Sequence, residues 1–182
     1  MRRNKETRYI GSWGLAFAEE KEMKKLSNWA SKGWLFESFG FLGFKLRKGE
    51  AQNLVYSIDY NTLQANELQD YYDTFRAAGW EAVCSLSNIH VFSAKPGTVP
   101  IYTDRATSYD KYNRAIVNFK WSSLLFGLLT LIGFAAYYYS DNYGLGIALT
   151  QVLLIFATLC LMIALPSAMV YCAYRFRKMR LK

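Results

Sequence analysis

His90 is the single histidine of a 182-residue chain, so any acid–base chemistry must be weighed there first. A general base works only beside a nucleophile and a group that orients it. His90 instead alternates with Ile89 and Val91, a strand pattern that reads as a surface or hydrogen-bonded residue. Asp59 closes the apolar run "NLVYSIDY". Pairing with Arg76 or capping the turn before Asn61 accounts for it, with a cationic ligand as the alternative. Glu37 and Glu81 follow Trp34 and Trp80 at unequal offsets and make no matched carboxylate pair. Cys84, Cys160 and Cys172 lack metal-ligand spacing, and one histidine leaves no Cys/His cluster, so neither a metal nor a cofactor is expected. No glycine-rich phosphate loop or nucleophile motif occurs. The chain is therefore read as a non-enzyme without catalytic residues. Its candidate ligand contacts are Trp34, Trp80, Tyr56 and Asp59.

The elements that must position these residues recur. "SKGWLFES" and "AAGWEAVC" carry the same Gly-Trp pair. Aligning Gly33 with Gly79 sets Leu26 opposite Tyr72, Trp29 opposite Phe75 and Leu46 opposite Phe92 without a gap. Met23, Leu26 and Ala30 form one helical stripe, and Leu68, Tyr72 and Phe75 another. Glu19 and Glu20 favour a helix start, and each glycine suits a helix end. Strands are predicted before each helix ("YIGSWGLAF", "NLVYSIDY") and after it ("WLFESF" and "FLGFKLRKG"; "WEAVCSL" and "IHVFSAKPG"). The unit is strand-helix-strand-strand, twice, over about 9–49 and 53–95. This predicts an α+β domain over 1–98 whose two units join one sheet with both helices on one face. Ferredoxin-like and gyrase-inhibitor-like arrangements both fit. Trp34 and Trp80 read first as core staples.

The last third has a different composition. Trp121–Tyr139 and Leu145–Tyr174 contain no charged residue and are long enough to span a bilayer. Lys111, Arg114, Lys120, Arg175, Arg177 and Lys178 flank them, whereas the connection "SDNYG" has no Lys or Arg. The positive-inside rule then puts both termini in the cytoplasm of a two-pass cell-membrane protein. Residues 99–120 are expected to be a juxtamembrane linker and amphipathic helix. Tyr109, Tyr112, Ile116 and Phe119 would form its apolar side, and Lys111, Arg114 and Lys120 its headgroup-facing side. With the basic residues so explained, the net charge of +8 is no nucleic-acid signal, and no nucleic-acid partner is expected.

"EEKEMKKLSNWASKGW", "KGEAQNLVYSIDY", "YYDTFRAAGWEAV" and "IYTDRATSYDKYNR" in that order resemble the bacterial family called domain of unknown function 2812. The resemblance covers roughly Glu19–Arg114. It implies a cytoplasmic domain carried on membrane helices and a regulatory rather than metabolic setting. "SLSNIHVFSAKPG" departs from the family pattern in lacking a Trp and an Arg-Lys-Pro. The duplicated plan is also similar to drug-binding effector domains related to gyrase inhibitor proteins, which hold small aromatic or cationic molecules between their repeats. Three readings follow in order. The first is a membrane-anchored binding or regulatory module for a small molecule or protein. The second is an accessory subunit of a transporter or other membrane complex, and the third is a membrane-bound enzyme.

Overall fold

The computed structural model describes residues 6–180, the side chain of Asn118 excepted. The basic stretch 1–5 and the last two residues of the basic tail, 181–182, lie outside them. The order is β1 (Thr7–Gly11), α1 (Leu15–Ala30), β2 (Trp34–Gly40), β3 (Gly43–Lys48), β4 (Val55–Tyr60), α2 (Leu68–Ala77), β5 (Glu81–Leu86), β6 (Ile89–Ala94), α3 (Arg105–Asn142) and α4 (Ile147–Met179). Strand-helix-strand-strand thus occurs twice. Two compact units result, residues 1–114 and 115–182. The first therefore takes in residues beyond 98, because part of the expected linker packs within it.

The strands form two antiparallel three-stranded sheets, ordered β1-β3-β2 and β4-β6-β5. The expected single sheet is corrected: β2 and β5 run close to one another, but no ladder joins them. Each has lost part of its flatness to a register shift, between Phe36 and Ser38 in β2 and between Ala82 and Cys84 in β5. Such irregularities bend a strand and increase its twist. In the central strands Leu46 and Phe92, aligned by the sequence repeat, are both fully buried. Around Phe92 lie Trp80 and Ala94, with Tyr71, Tyr72 and Phe75 packed against them. Phe75 stacks on Phe92 with centroids 4.2 Å apart. Full burial of such a side chain is worth about 1.5–3 kcal/mol.

The first helix begins earlier than the acidic pair suggests. Ala18 (φ −137°, ψ 31°) interrupts it, and the regular run starts at Glu19. Consequently "YIGSWGLAF" is not one strand: β1 stops at Gly11, and Trp13 lies in a turn. The two Gly-Trp pairs do mark helix exits. Gly33 (φ 78°) and Gly79 (φ 84°) both take the left-handed conformation that disfavours any Cβ.

In the second unit, α3 and α4 are both long and apolar enough to cross a membrane. α4 continues through Pro166. A Cβ on Gly133 would lie 3.0 Å from that of Ala157, so the helices approach closely there. Ala157, Cys160 and Ala164 are the buried small residues of the α4 seam. Three polar side chains of the pair find partners: Ser140 Oγ meets Thr150 Oγ1 at 2.9 Å, and Thr130 Oγ1 donates to Phe126 O at 2.7 Å.

A Cβ on Gly33 would sit 2.8 Å from the Gly49 carbonyl oxygen, whereas one on Gly79 would meet only a Thr98 methyl at 3.3 Å. Gly33→Ala should therefore destabilise the chain by about 2–3 kcal/mol and Gly79→Ala by about 1–2 kcal/mol. Thermal unfolding of the detergent-solubilised chain checks the order, and equal losses would contradict it.

Candidate functional site

β4 ends on a buried carboxylate. Asp59 is 3 % exposed because both faces of the strand end are covered: Ile58, Asp59 and Tyr60 are buried in succession. A charge there requires partners, and four groups supply them. Its Oδ1 accepts from Tyr60 N at 2.7 Å, from Arg114 Nη2 at 2.8 Å and from the Tyr102 hydroxyl. Its Oδ2 accepts from the Tyr71 hydroxyl at 2.7 Å. Arg114 also donates from Nε to Tyr60 O at 2.6 Å, which fixes the plane of its guanidinium. Burial opposes ionisation of Asp59, but the hydrogen bonds from Tyr102, Tyr71 and Arg114 outweigh it and hold the carboxyl below its ordinary range. Burial, reinforced by the neighbouring Asp59 carboxylate, drives the Tyr71 and Tyr102 hydroxyls far upward.

A second buried carboxylate lies on α1. Glu19 accepts from Lys111 Nζ on one oxygen and from Tyr60 Oη at 3.2 Å on the other. Lys111 is only 5 % exposed, and its ammonium sits over the rings of Tyr60 and Tyr102 at 5.6 and 4.9 Å. Lys111 and Arg114 are three residues apart and so share one face of α3. Asp104 caps that helix, accepting from Thr107 N at 2.7 Å.

The expectation that Lys111 and Arg114 face lipid headgroups is corrected by this geometry. Both turn into the α+β unit, because two buried carboxylates outcompete water and lipid for them. Lys120 instead lies over the Trp121 ring at 5.6 Å, and Arg175 donates to the Tyr171 hydroxyl at 2.9 Å.

Beside this network opens a cleft of about 380 Å³. Phe75 of α2, Ala78 just past its end, Trp80, and the segment Val99–Tyr102 make its apolar walls, and Asp59, Asp110 and Arg114 its charged lining. Trp80 is held by an Nε1–H bond to Val99 O at 2.9 Å. The Asp110 carboxylate makes no hydrogen bond or ion pair among the described residues. With Asp59 and Arg114 neutralising one another, the cleft keeps one unpaired negative charge against aromatic walls. This suits a small, partly apolar molecule.

Of the four expected ligand residues, Asp59 and Trp80 meet in this cleft, while Trp34 and Tyr56 do not line it. Trp34 lies under the Arg8 guanidinium at 4.7 Å, and Trp29 shares that cation at 4.9 Å. Tyr56 is buried, accepts from Phe36 N at 3.5 Å and has its hydroxyl pKa raised by burial. Asp59 does not pair with Arg76, which joins Asp73 and, at 3.6 Å, Glu81. His90 is buried and spends both ring nitrogens. Nε2 donates to Asn61 O at 3.0 Å, leaving Nδ1 to accept from Ser85 Oγ at 2.8 Å. The β5–β6 register sets Ser85 opposite His90, so this serine–histidine contact is what the hairpin imposes. Sequence reasoning missed Tyr71, Tyr102 and Asp110. The signal for the last was "DKYNR", where Asp110, Lys111 and Arg114 fall within one helical turn.

A family model described as protein of unknown function (DUF2812) matches residues 18–125, more than half of the chain. The chain belongs to that family. The DUF2812 match takes in Glu19, Asp59, Lys111, Arg114 and the whole cleft lining. No curated protein and no solved structure matches the chain.

Two outcomes follow from the network. Lowering the Asp59 pKa means the unfolded state binds more protons in acid, so its stabilisation is present above the ordinary carboxyl value of about 4 and lost as pH falls through the folded one. Raised tyrosines act oppositely: the folded state holds protons longer, so stability falls as pH rises above about 10. Unfolding measured against pH should show a plateau between these limbs, and Asp59→Asn should flatten the acid limb. Lys111→Met, which strands the buried Glu19 charge, should cost about 3–5 kcal/mol. Adding Glu19→Gln should recover most of that loss, and a double variant no more stable than the single would contradict the pairing.

Proposed function

We propose that the chain is a membrane-tethered binding module in which occupancy of the cleft is passed to the apolar spans through α3. One observation carries this reading. Thr107, Asp110 and Arg114 of α3 line the cleft, and the same helix continues without a break into the first long apolar run. A molecule seated between α2 and α3 would shift the first turns of α3 relative to β4, at the head of the helix that leads into the first apolar run. A ligand acts this way only by binding one arrangement better than another. The unpaired Asp110 beside Phe75 and Trp80 selects small aromatic or aliphatic cations over anions. The reading is binding without turnover, since Asp59 already holds four hydrogen bonds and is no free base. Basic flanks on both spans support a cell-membrane position with both termini in the cytoplasm.

Full-length protein in lipid nanodiscs, assayed by equilibrium dialysis against matched small aromatic cations, neutral analogues and anions, tests this. Saturable binding of cations is expected, weakened about tenfold by Asp110→Asn, the loss of one charge-assisted contact. Ala78→Trp, which fills the cleft from an exposed helix end, should abolish it at unchanged melting temperature. Binding that survives Ala78→Trp would sink the reading.

A further inference from the structure

The most exposed large apolar side chains of the α+β unit stand together on two neighbouring turns. Phe41 and Leu42, 95 % and 76 % exposed, form the tip between β2 and β3, and Trp13, 83 % exposed, occupies the turn between β1 and α1. The turns are tied: Ser12 N donates to Leu42 O at 3.0 Å. The Trp13 turn is also held from behind. Glu22 Oε1, almost fully buried, accepts from Trp13 N at 2.9 Å, and Lys25 Nζ donates to Gly11 O.

Nothing in the folding of the unit calls for this composition. From Phe39 to Phe44 the hairpin carries no polar side chain. Solvent-facing turns favour Gly, Asn, Asp and Ser. Leu42 moreover adopts φ 53°, a left-handed conformation uncommon for anything but Gly, Asn and Asp. A bulky apolar residue in a strained, water-exposed position, beside an exposed Trp and Phe, points to a surface these side chains enter.

We infer that the two turns are an interfacial anchor, with Trp13, Phe41 and Leu42 entering the headgroup–acyl boundary of the bilayer that holds the spans. The inference rests on reading the apolar helices of α3 and α4 as membrane-spanning. Aromatic side chains favour that boundary. The tips are convex: a protein partner needs a matching socket and about 800 Å² of contact a side, whereas fluid lipid accommodates any protrusion. The tether is short as well. Ala115 to Lys120 is all that separates the α+β unit from the uncharged run at Trp121, a stretch that reaches at most about 20 Å even when extended.

The test uses the full chain with Cys84→Ser, Cys160→Ala and Cys172→Ser, reconstituted into phosphatidylcholine–phosphatidylglycerol vesicles carrying lipids spin-labelled high on the acyl chain. An environment-sensitive dye is placed in turn on Phe41→Cys, on Glu50→Cys, two residues past the far end of β3, and on Leu131→Cys, exposed on α3. Labels at 41 and 131 should lose most of their emission to the spin labels, and the label at 50 should keep it. Quenching at 131 but not at 41 overturns the anchor, whether the dye at 41 is in water or blue-shifted under a second copy. No quenching at 131 removes the spanning reading and the anchor with it.

Discussion

Two carboxylates buried in the α+β unit, Asp59 and Glu19, each need a cation, and one face of one helix supplies both. Leaving either charge unpaired in a poorly solvated interior would cost several kcal/mol. The helix carrying Lys111 and Arg114 therefore docks in one position, with Tyr60, Tyr71 and Tyr102 filling the remaining hydrogen-bonding capacity. The unit reaches to Arg114 for this reason, and its last element is the start of α3 rather than β6.

The cleft is a consequence of that docking. The segment Val99–Tyr102 must return to Asp59 so that Tyr102 can donate to it, and in doing so it walls off the space above Phe75 and Trp80. Trp80 is thereby both staple and wall. Its ring is buried against Phe92, and its N–H holds the returning segment at Val99. Asp110, one residue before Lys111, is carried onto the lining with no partner for its carboxylate among the described residues. The same helix face thus closes the fold and furnishes the site.

The halves share topology but not use. Gly33 and Gly79 exit their helices alike, and Leu46 and Phe92 fill equivalent central positions. Yet α1 presents Glu19 and Glu22 to the interior, while α2 has no buried residue and leaves its outer face open. Glu22 braces the apolar turn at Trp13, so its burial has a local mechanical role. Trp34, the counterpart of Trp80, covers a surface shared with Arg8 and Trp29.

By itself the sequence determined the strand and helix types, the two Gly-Trp exits and the two long apolar helices. Each depends on local periodicity, on glycine's tolerance of positive φ, or on uninterrupted apolar length. It misplaced the first strand because Trp13 and Phe17 extend the apolar pattern across a turn that only the brace from Glu22 reveals. Tertiary structure alone decided where the cations go. Lys111 and Arg114 beside an apolar span have the composition of headgroup ligands, and their partners lie 92 and 55 residues away in the chain. Pairing over such separations is set by which buried charges the fold brings opposite them, and no local pattern encodes it.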